Sequence, residues 1–138
     1  MSDNRLMACD MTSASDTASE RVDEYSRLFE AALIGRERTP SGMRWRLSAE
    51  PSIEEWARDL AARENACCSF IRSTVNLVGD EVHWDASTID DPAARSVIDL
   101  FFELPDLVVQ GVEAVHLQFS NTGIPVVSRS IAPTVPVR

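Results

Sequence analysis

The stretch that decides the fold runs from residue 52 to residue 88: S-I-E-E-W-A-R-D-L-A-A-R-E-N-A-C-C-S-F, then I-R-S-T-V-N-L-V-G-D-E-V-H-W-D-A-S-T. Its first half has helical periodicity. Ser52 and Glu55 form an S-x-x-E capping pattern, and at about 100° per residue Ile53, Trp56, Ala57, Leu60, Cys67, Cys68 and Ile71 fall in one apolar arc. Its second half alternates. Ile71, Val75 and Leu77 interleave with Arg72, Thr74 and Asn76, Gly79-Asp80 turns the chain, and Val82, Trp84 and Ala86 interleave with Glu81, His83 and Asp85. A helix feeding a hairpin with one wet face is the local unit.

Upstream, Thr17 and Glu20 form a second capping box before Val22, Tyr25, Phe29, Ala32 and Leu33, with Gly35 as the expected stop. Met43, Trp45 and Leu47 then alternate with Arg44, Arg46 and Ser48 behind the Pro40-Ser41-Gly42 turn, a strand whose partner starts near Arg36. Downstream, Asp91 followed by Pro92 opens a helix carrying Val97, Ile98, Phe101 and Leu104, which Pro105 is expected to end. Val115, Leu117 and Phe119 read as one more strand, with a continued helix as the alternative. The expected fold is α+β: an antiparallel sheet of three to five strands with helices packed on one face. Residues 1–16 read as a mobile leader, 17–119 as the domain, and 120–138 as a Pro-rich tail or an arm exchanged with a partner. Open sheet edges and that arm suggest a homodimer.

At 138 residues the chain suffices for one domain. It carries 22 acidic against 13 basic residues, a formal charge of -9. Such a chain is repelled by phosphate backbones, so nucleic acid is not an expected partner. No apolar run approaches a membrane span, and the polar, acidic start is unlike a secretory signal, so a membrane partner is not expected and a cytoplasmic location with reduced thiols is. Every basic residue is arginine, which removes Schiff-base and lysine-base chemistry. G-x-G-x-x-G, the P-loop lysine and G-x-S-x-G are all missing from the sequence, so nucleotide and hydrolase chemistry have no motif to rest on.

The chemistry-bearing pattern is Glu64-x-x-Cys67-Cys68. Glu64 falls near the middle of the apolar arc, so its carboxylate is aimed inward on the face of the two thiols. A buried carboxylate needs a partner or a ligand. One reading is structural: Glu64 pairs with an inward arginine and the cysteines are small core residues. A second is a binding or sensor site in which Glu64, Cys67 and Cys68 engage a soft ion such as Zn(II), Cu(I), Hg(II) or As(III), with His83 or Cys9 completing the shell. Adjacent helical side chains diverge by about 100°, so this reading requires the helix to unwind there or a symmetry mate to add ligands. A third is a small enzyme using Glu64 or a cysteine as acid, base or nucleophile on a small apolar substrate, in a cavity beside Trp45, Trp56 and Trp84. A thiol at a helix C-terminus is held protonated by the dipole, which disfavours a poised thiolate. Elsewhere, Arg38, Arg44 and Arg46 are candidates for holding an anion, the alternative being a solvated face paired with nearby acids.

The segments A-A-R-E-N-A-C-C-S-F, G-D-E-V-H-W and D-P-A-A-R-S-V-I-D-L-F resemble a group of small uncharacterised actinobacterial proteins with an A-R-E-x-x-C-C-x-F signature and an upstream R-E-R-T-P-x-G strand. A related E-x-x-C-C-P-F pattern is similar to segments linked to mercury-resistance-type regulators, with Ser69 here in place of the proline. The resemblance spans roughly Glu20 to Leu104 and implies a site at Glu64, Cys67 and Cys68, together with Arg38, Thr39, Pro40 and Gly42.

Overall fold

The computed structural model describes residues 9–127. In chain order the elements are β1 (Cys9–Asp10), α1 (Ala18–Ala32), β2 (Leu33–Thr39), β3 (Gly42–Ser48), α2 (Ile53–Cys67), β4 (Ile71–Val78), β5 (Glu81–Thr88), α3 (Pro92–Gln110), α4 (Val112–Asn121) and β6 (Val126–Val127). Strands β2, β3, β5 and β4 form, in that order, one antiparallel sheet, while β1 and β6 pair in parallel as a separate two-stranded ribbon. The fold is α+β, with helices packed on the sheet.

Period-two patterning determines which face is covered. Met43, Trp45 and Leu47 of β3 and Val82, Trp84 and Ala86 of β5 have no exposed surface, whereas Arg44, Arg46, His83 and Asp85 between them point to the other, solvated face. Trp45 and Trp84 are cross-strand partners with ring centroids 5.0 Å apart, and Phe29 meets Trp45 edge-on at 4.8 Å. Gly42 is required by close approach: a Cβ there would stand 1.8 Å from the Ala86 carbonyl oxygen of β5.

Helices α1 and α3 start on side-chain caps. Thr17 and Glu20 make a reciprocal capping box on α1, and Asp91 caps α3 ahead of Pro92. On α2 the S-x-x-E pattern does not act as a box, because Ser52 sits at φ 76° and its side chain makes no capping bond. Gly35 is not a helix stop either. α1 ends at Ala32 and the chain passes directly into β2.

Pro105 does not end α3, which continues to Gln110. A proline inside a helix leaves the carbonyl four residues back without its donor. Here that carbonyl, Phe101, accepts the Trp45 indole N–H at 3.0 Å, and the next, Phe102, accepts Arg36 Nη1 at 2.9 Å. Tertiary donors replace the missing one, so the helix survives its proline.

Val115, Leu117 and Phe119, read as a strand, lie on helix α4, where Val115 is buried and Leu117 is 64% exposed. The core also draws on both flanking stretches. Cys9 and Met11, within the segment read as a leader, are buried, as is Ile124 in the segment read as a tail, and β1 pairs with β6. Residues 1–8 and 128–138, the remainder of that leader and tail, lie outside the described residues.

Candidate functional site

Helix α2 buries Ile53, Ala57, Leu60, Ala61, Glu64 and Cys67 along one stripe, so the carboxylate does face inward with the sulfurs. Its last turn is anchored from outside. The Asn65 side chain donates to the Ser73 carbonyl at 2.9 Å and accepts the Ser73 N–H at 2.8 Å, pairing with the β4 backbone as a neighbouring strand would. Just beyond, Cys68 leaves helical geometry at φ -115°, ψ 84°. That unwinding brings together two side chains which a regular helix would splay apart. Cys67 Sγ and Cys68 Sγ are 3.8 Å apart, and Glu64 Oε2 is 3.8 Å from Cys68 Sγ.

The partner of Glu64 is an arginine from α1. Arg21 Nη1 donates to Glu64 Oε1 at 3.0 Å and to Cys67 Sγ at 3.7 Å, and its Nε and Nη2 grip Asp16 at 2.6 and 2.8 Å. Arg63 extends the network to Asp16 and Glu24, and Glu24 also accepts the Trp56 indole N–H. Trp56 is therefore half-buried in this polar network, while Trp45 and Trp84 build the core. Sequence reasoning missed Arg21. Its signal was geometric, since Arg21, Tyr25, Leu28 and Ala32 share one helical stripe and all are buried.

Cys9 is bonded to Cys68, where the sequence suggested three reduced thiols. Strand β1 bridges antiparallel to Cys68 and holds the two Cα atoms 4.3 Å apart, whereas the adjacent Cys67 cannot easily close on its neighbour. Cys67 is the free thiol. Burial first, then the Glu64 charge, push it up to about 11, against the opposing pull of Arg21. It is held as a thiol at neutral pH, which speaks against a poised nucleophile. For Arg21, burial works against the charge, but Asp16 and Glu64 together raise its pKa above the ordinary arginine value. The Tyr25 hydroxyl, buried and without a hydrogen-bond partner at regular geometry, has its ionisation pushed well up by burial and by the nearby Glu64 charge.

A cavity of about 670 Å³ opens onto this cluster. Arg21, Tyr25, Glu64, Cys67 and the Cys9–Cys68 pair line one end, and the rest is lined mostly by apolar side chains of α1, α3, α4 and the segment before β6, with Thr17, Ser19, His116 and Ser120 among them. Compared with known protein families, curated proteins and solved structures, the chain matches none of them. Among the described residues, no helix is long and apolar enough to cross a membrane.

His83 and the three arginine candidates do not join the site. His83 bonds Glu81 at 2.9 Å on the solvated sheet face, opposite the layer that holds the sulfurs, so it is not placed to complete their shell. Arg38, Arg44 and Arg46 are taken up by acids of this chain: Arg38 by Asp99 at 2.6 Å, Arg44 by Asp85 at 2.6 Å and by Glu37, and Arg46 by Glu81 at 2.6 Å. Arg44 and Arg46 form a ladder of ion pairs on the solvated sheet face and Arg38 reaches helix α3 on the other, so the three are not an open anion clamp. Thr39, Pro40 and Gly42 lie with Arg38 around a separate hollow at the β2–β3 turn.

Proposed function

We propose that this chain is a thiol-containing binding or sensor protein that takes a soft metal or metalloid ion at Glu64, Cys67 and Cys68, with Cys9 as a third sulfur. The observation that carries the reading is convergence: one donor atom each from Glu64, Cys67 and Cys68 lies within 4.8 Å of the others, all three residues buried. Cys9 Sγ is bonded to one of them. Sulfur atoms in a tetrahedral shell with metal–sulfur bonds of about 2.3 Å stand about 3.8 Å apart, and Cys67 and Cys68 have that spacing. Sulfur donors select thiophilic ions over Mg(II) or Ca(II).

Binding through all three sulfurs requires the Cys9–Cys68 bond to be reduced. A dithiol converts it to two thiols by giving two electrons and two protons and itself closing to a disulfide; a phosphine gives the two electrons while water gives the two protons and leaves its oxygen on phosphorus. Trivalent arsenic then exchanges three As–O bonds for three As–S bonds, and three thiol protons leave with its oxygens as water. A cytoplasmic location, where dithiol systems keep such bonds open, and a homodimer joined through the edge strand β2 complete the proposal.

The enzyme reading has one observation in its favour, the cavity reaching Glu64. Against it, Glu64 is engaged by Arg21 and Cys67 is held protonated, which leaves neither a free base nor a ready nucleophile. Titration of the reduced chain with arsenite, followed by thiolate-to-arsenic absorption in the near ultraviolet, tests the binding reading. One equivalent is expected for the parent and none for Cys67→Ser or Cys68→Ser; equal uptake by parent and variants contradicts it.

A further inference from the structure

The cluster occupies only one end of its cavity, and the remaining space has a chemistry of its own. A bare ion with its sulfur shell needs only a few ångströms, yet the cavity measures about 670 Å³, a size typical of sites for organic ligands. Beyond the sulfurs its walls include Val22 of α1, Leu104 of α3, Val115 and Phe119 of α4, and Ile124. The charges at the inner end are already matched, Arg21 against Glu64 and Asp16, so nothing there calls for a further ionic group.

Resting on the soft-ion reading, we infer that the preferred ligand is an organo-substituted soft ion, an aryl-arsenic(III) species being the type case. Its arsenic is held by Cys67 and Cys68 and its hydrocarbon group lies against the apolar walls. Such a species, R–As(OH)2, needs only two thiols. Two As–O and two S–H bonds break, two As–S bonds form and two waters leave, while the As–C bond and the oxidation state of arsenic are unchanged. The third vertex of the arsenic is then carbon, and the carbon substituent is what the cavity accommodates. Cys9 is dispensable for this ligand, although bare As(III) needs it as the third sulfur.

The test uses the full chain, reduced with a water-soluble phosphine that is removed before titration. The probes are phenylarsonous acid, methylarsonous acid and arsenite. The first two make the same As–S bonds and differ only in the group the cavity would bury, so phenyl should bind about tenfold tighter or more. Cys9→Ser should keep phenyl binding and lose arsenite. Ala18→Trp and, separately, Ser120→Trp, both at cavity-lining positions outside the fully buried core, should remove the phenyl preference and leave arsenite unchanged. Independently of any variant, phenyl protons should show magnetisation transfer to the methyl groups of Leu104, Val115 and Ile124.

Equal phenyl and methyl affinity, with no phenyl-to-methyl contacts, overturns the inference while arsenite uptake leaves the soft-ion site standing. Failure of all three probes to bind the reduced parent overturns both.

Discussion

Arg21 on α1 and Glu64 on α2 meet at 3.0 Å across 43 residues of sequence, with side chains only 5% and 10% exposed. This contact fixes where the carboxylate, and with it the sulfur cluster, stands relative to the first helix. Removing one member of a buried pair strands the other charge, at a cost of about 3 kcal/mol or more. Arg21→Met should therefore lower unfolding free energy by that order. Arg21→Met combined with Glu64→Leu should recover part of it, because no charge is then left unpaired in that contact. Urea denaturation of the two variants checks this; equal losses in both would mean that Glu64 does not depend on Arg21.

Trp45 and Pro105 form a second coupled pair through the Phe101 carbonyl. Trp45→Phe removes the donor that stands in for the missing proline N–H and should destabilise by about 1 to 3 kcal/mol. In a Pro105→Ala background residue 105 can donate to Phe101 itself, so the same substitution should cost less. A double-mutant cycle by thermal unfolding reads the difference, and additivity would refute the coupling.

Much of this was legible in the sequence, for identifiable reasons. Glu64 was placed inward beside the cysteines because helical periodicity alone decides it, and the β4–β5 hairpin followed from alternation about Gly79-Asp80. What was not legible lay outside local pattern. Arg21 reads as a polar residue beside an apolar stripe until its partner from α2 is known. Cys9 sits in a stretch without periodicity, and only its pairing to β6 and Cys68 gives it a place. Pro105 breaks a helix on local rules and is tolerated here because Trp45 and Arg36 reach it from the sheet. For α4, five residues of alternating apolar character were too few to separate strand from helix.

Acid sensitivity should centre on the carboxylates around the arginines. Arg21 holds Asp16 below its ordinary value of 3.8, and Arg63 with Trp56 holds Glu24 below 4.5. A group with a depressed folded-state value stabilises above its unfolded pKa and loses that contribution as pH falls through the folded one. Stability should therefore be flat above about pH 5 and fall below pH 4, and Asp16→Asn should flatten that fall. Chemical denaturation between pH 2 and 6 measures it; an identical profile for the variant would dismiss the assignment.

Alkylation of Cys67 should be slow and strongly pH-dependent in the oxidised chain. With its pKa pushed up to about 11, the thiolate fraction at pH 8 is about one in a thousand, and the rate should rise about tenfold per pH unit up to pH 10. Iodoacetamide labelling followed by mass spectrometry gives the profile. A plateau below pH 9 would show that Arg21 outweighs burial and Glu64.

The Cys9–Cys68 bond spans 59 residues of sequence, a loop whose closure contributes about 4 kcal/mol in the chain-entropy model. Reduction should lower the melting temperature, and arsenite, by joining the same sulfurs, should restore part of the loss while leaving the oxidised chain unaffected. Calorimetry of the four states tests this; arsenite stabilising the oxidised chain equally would place its binding elsewhere.

The most direct test of the soft-ion site is the number of sulfurs around the bound ion. X-ray absorption at the arsenic edge, on reduced chain loaded with one equivalent of arsenite, should show a shell of three sulfurs, whereas in Cys9→Ser, which does not hold arsenite, the arsenic should keep the oxygen shell of the free acid. An oxygen shell in the parent, or a sulfur count unchanged by that substitution, would contradict the assignment of Cys9, Cys67 and Cys68 to one site.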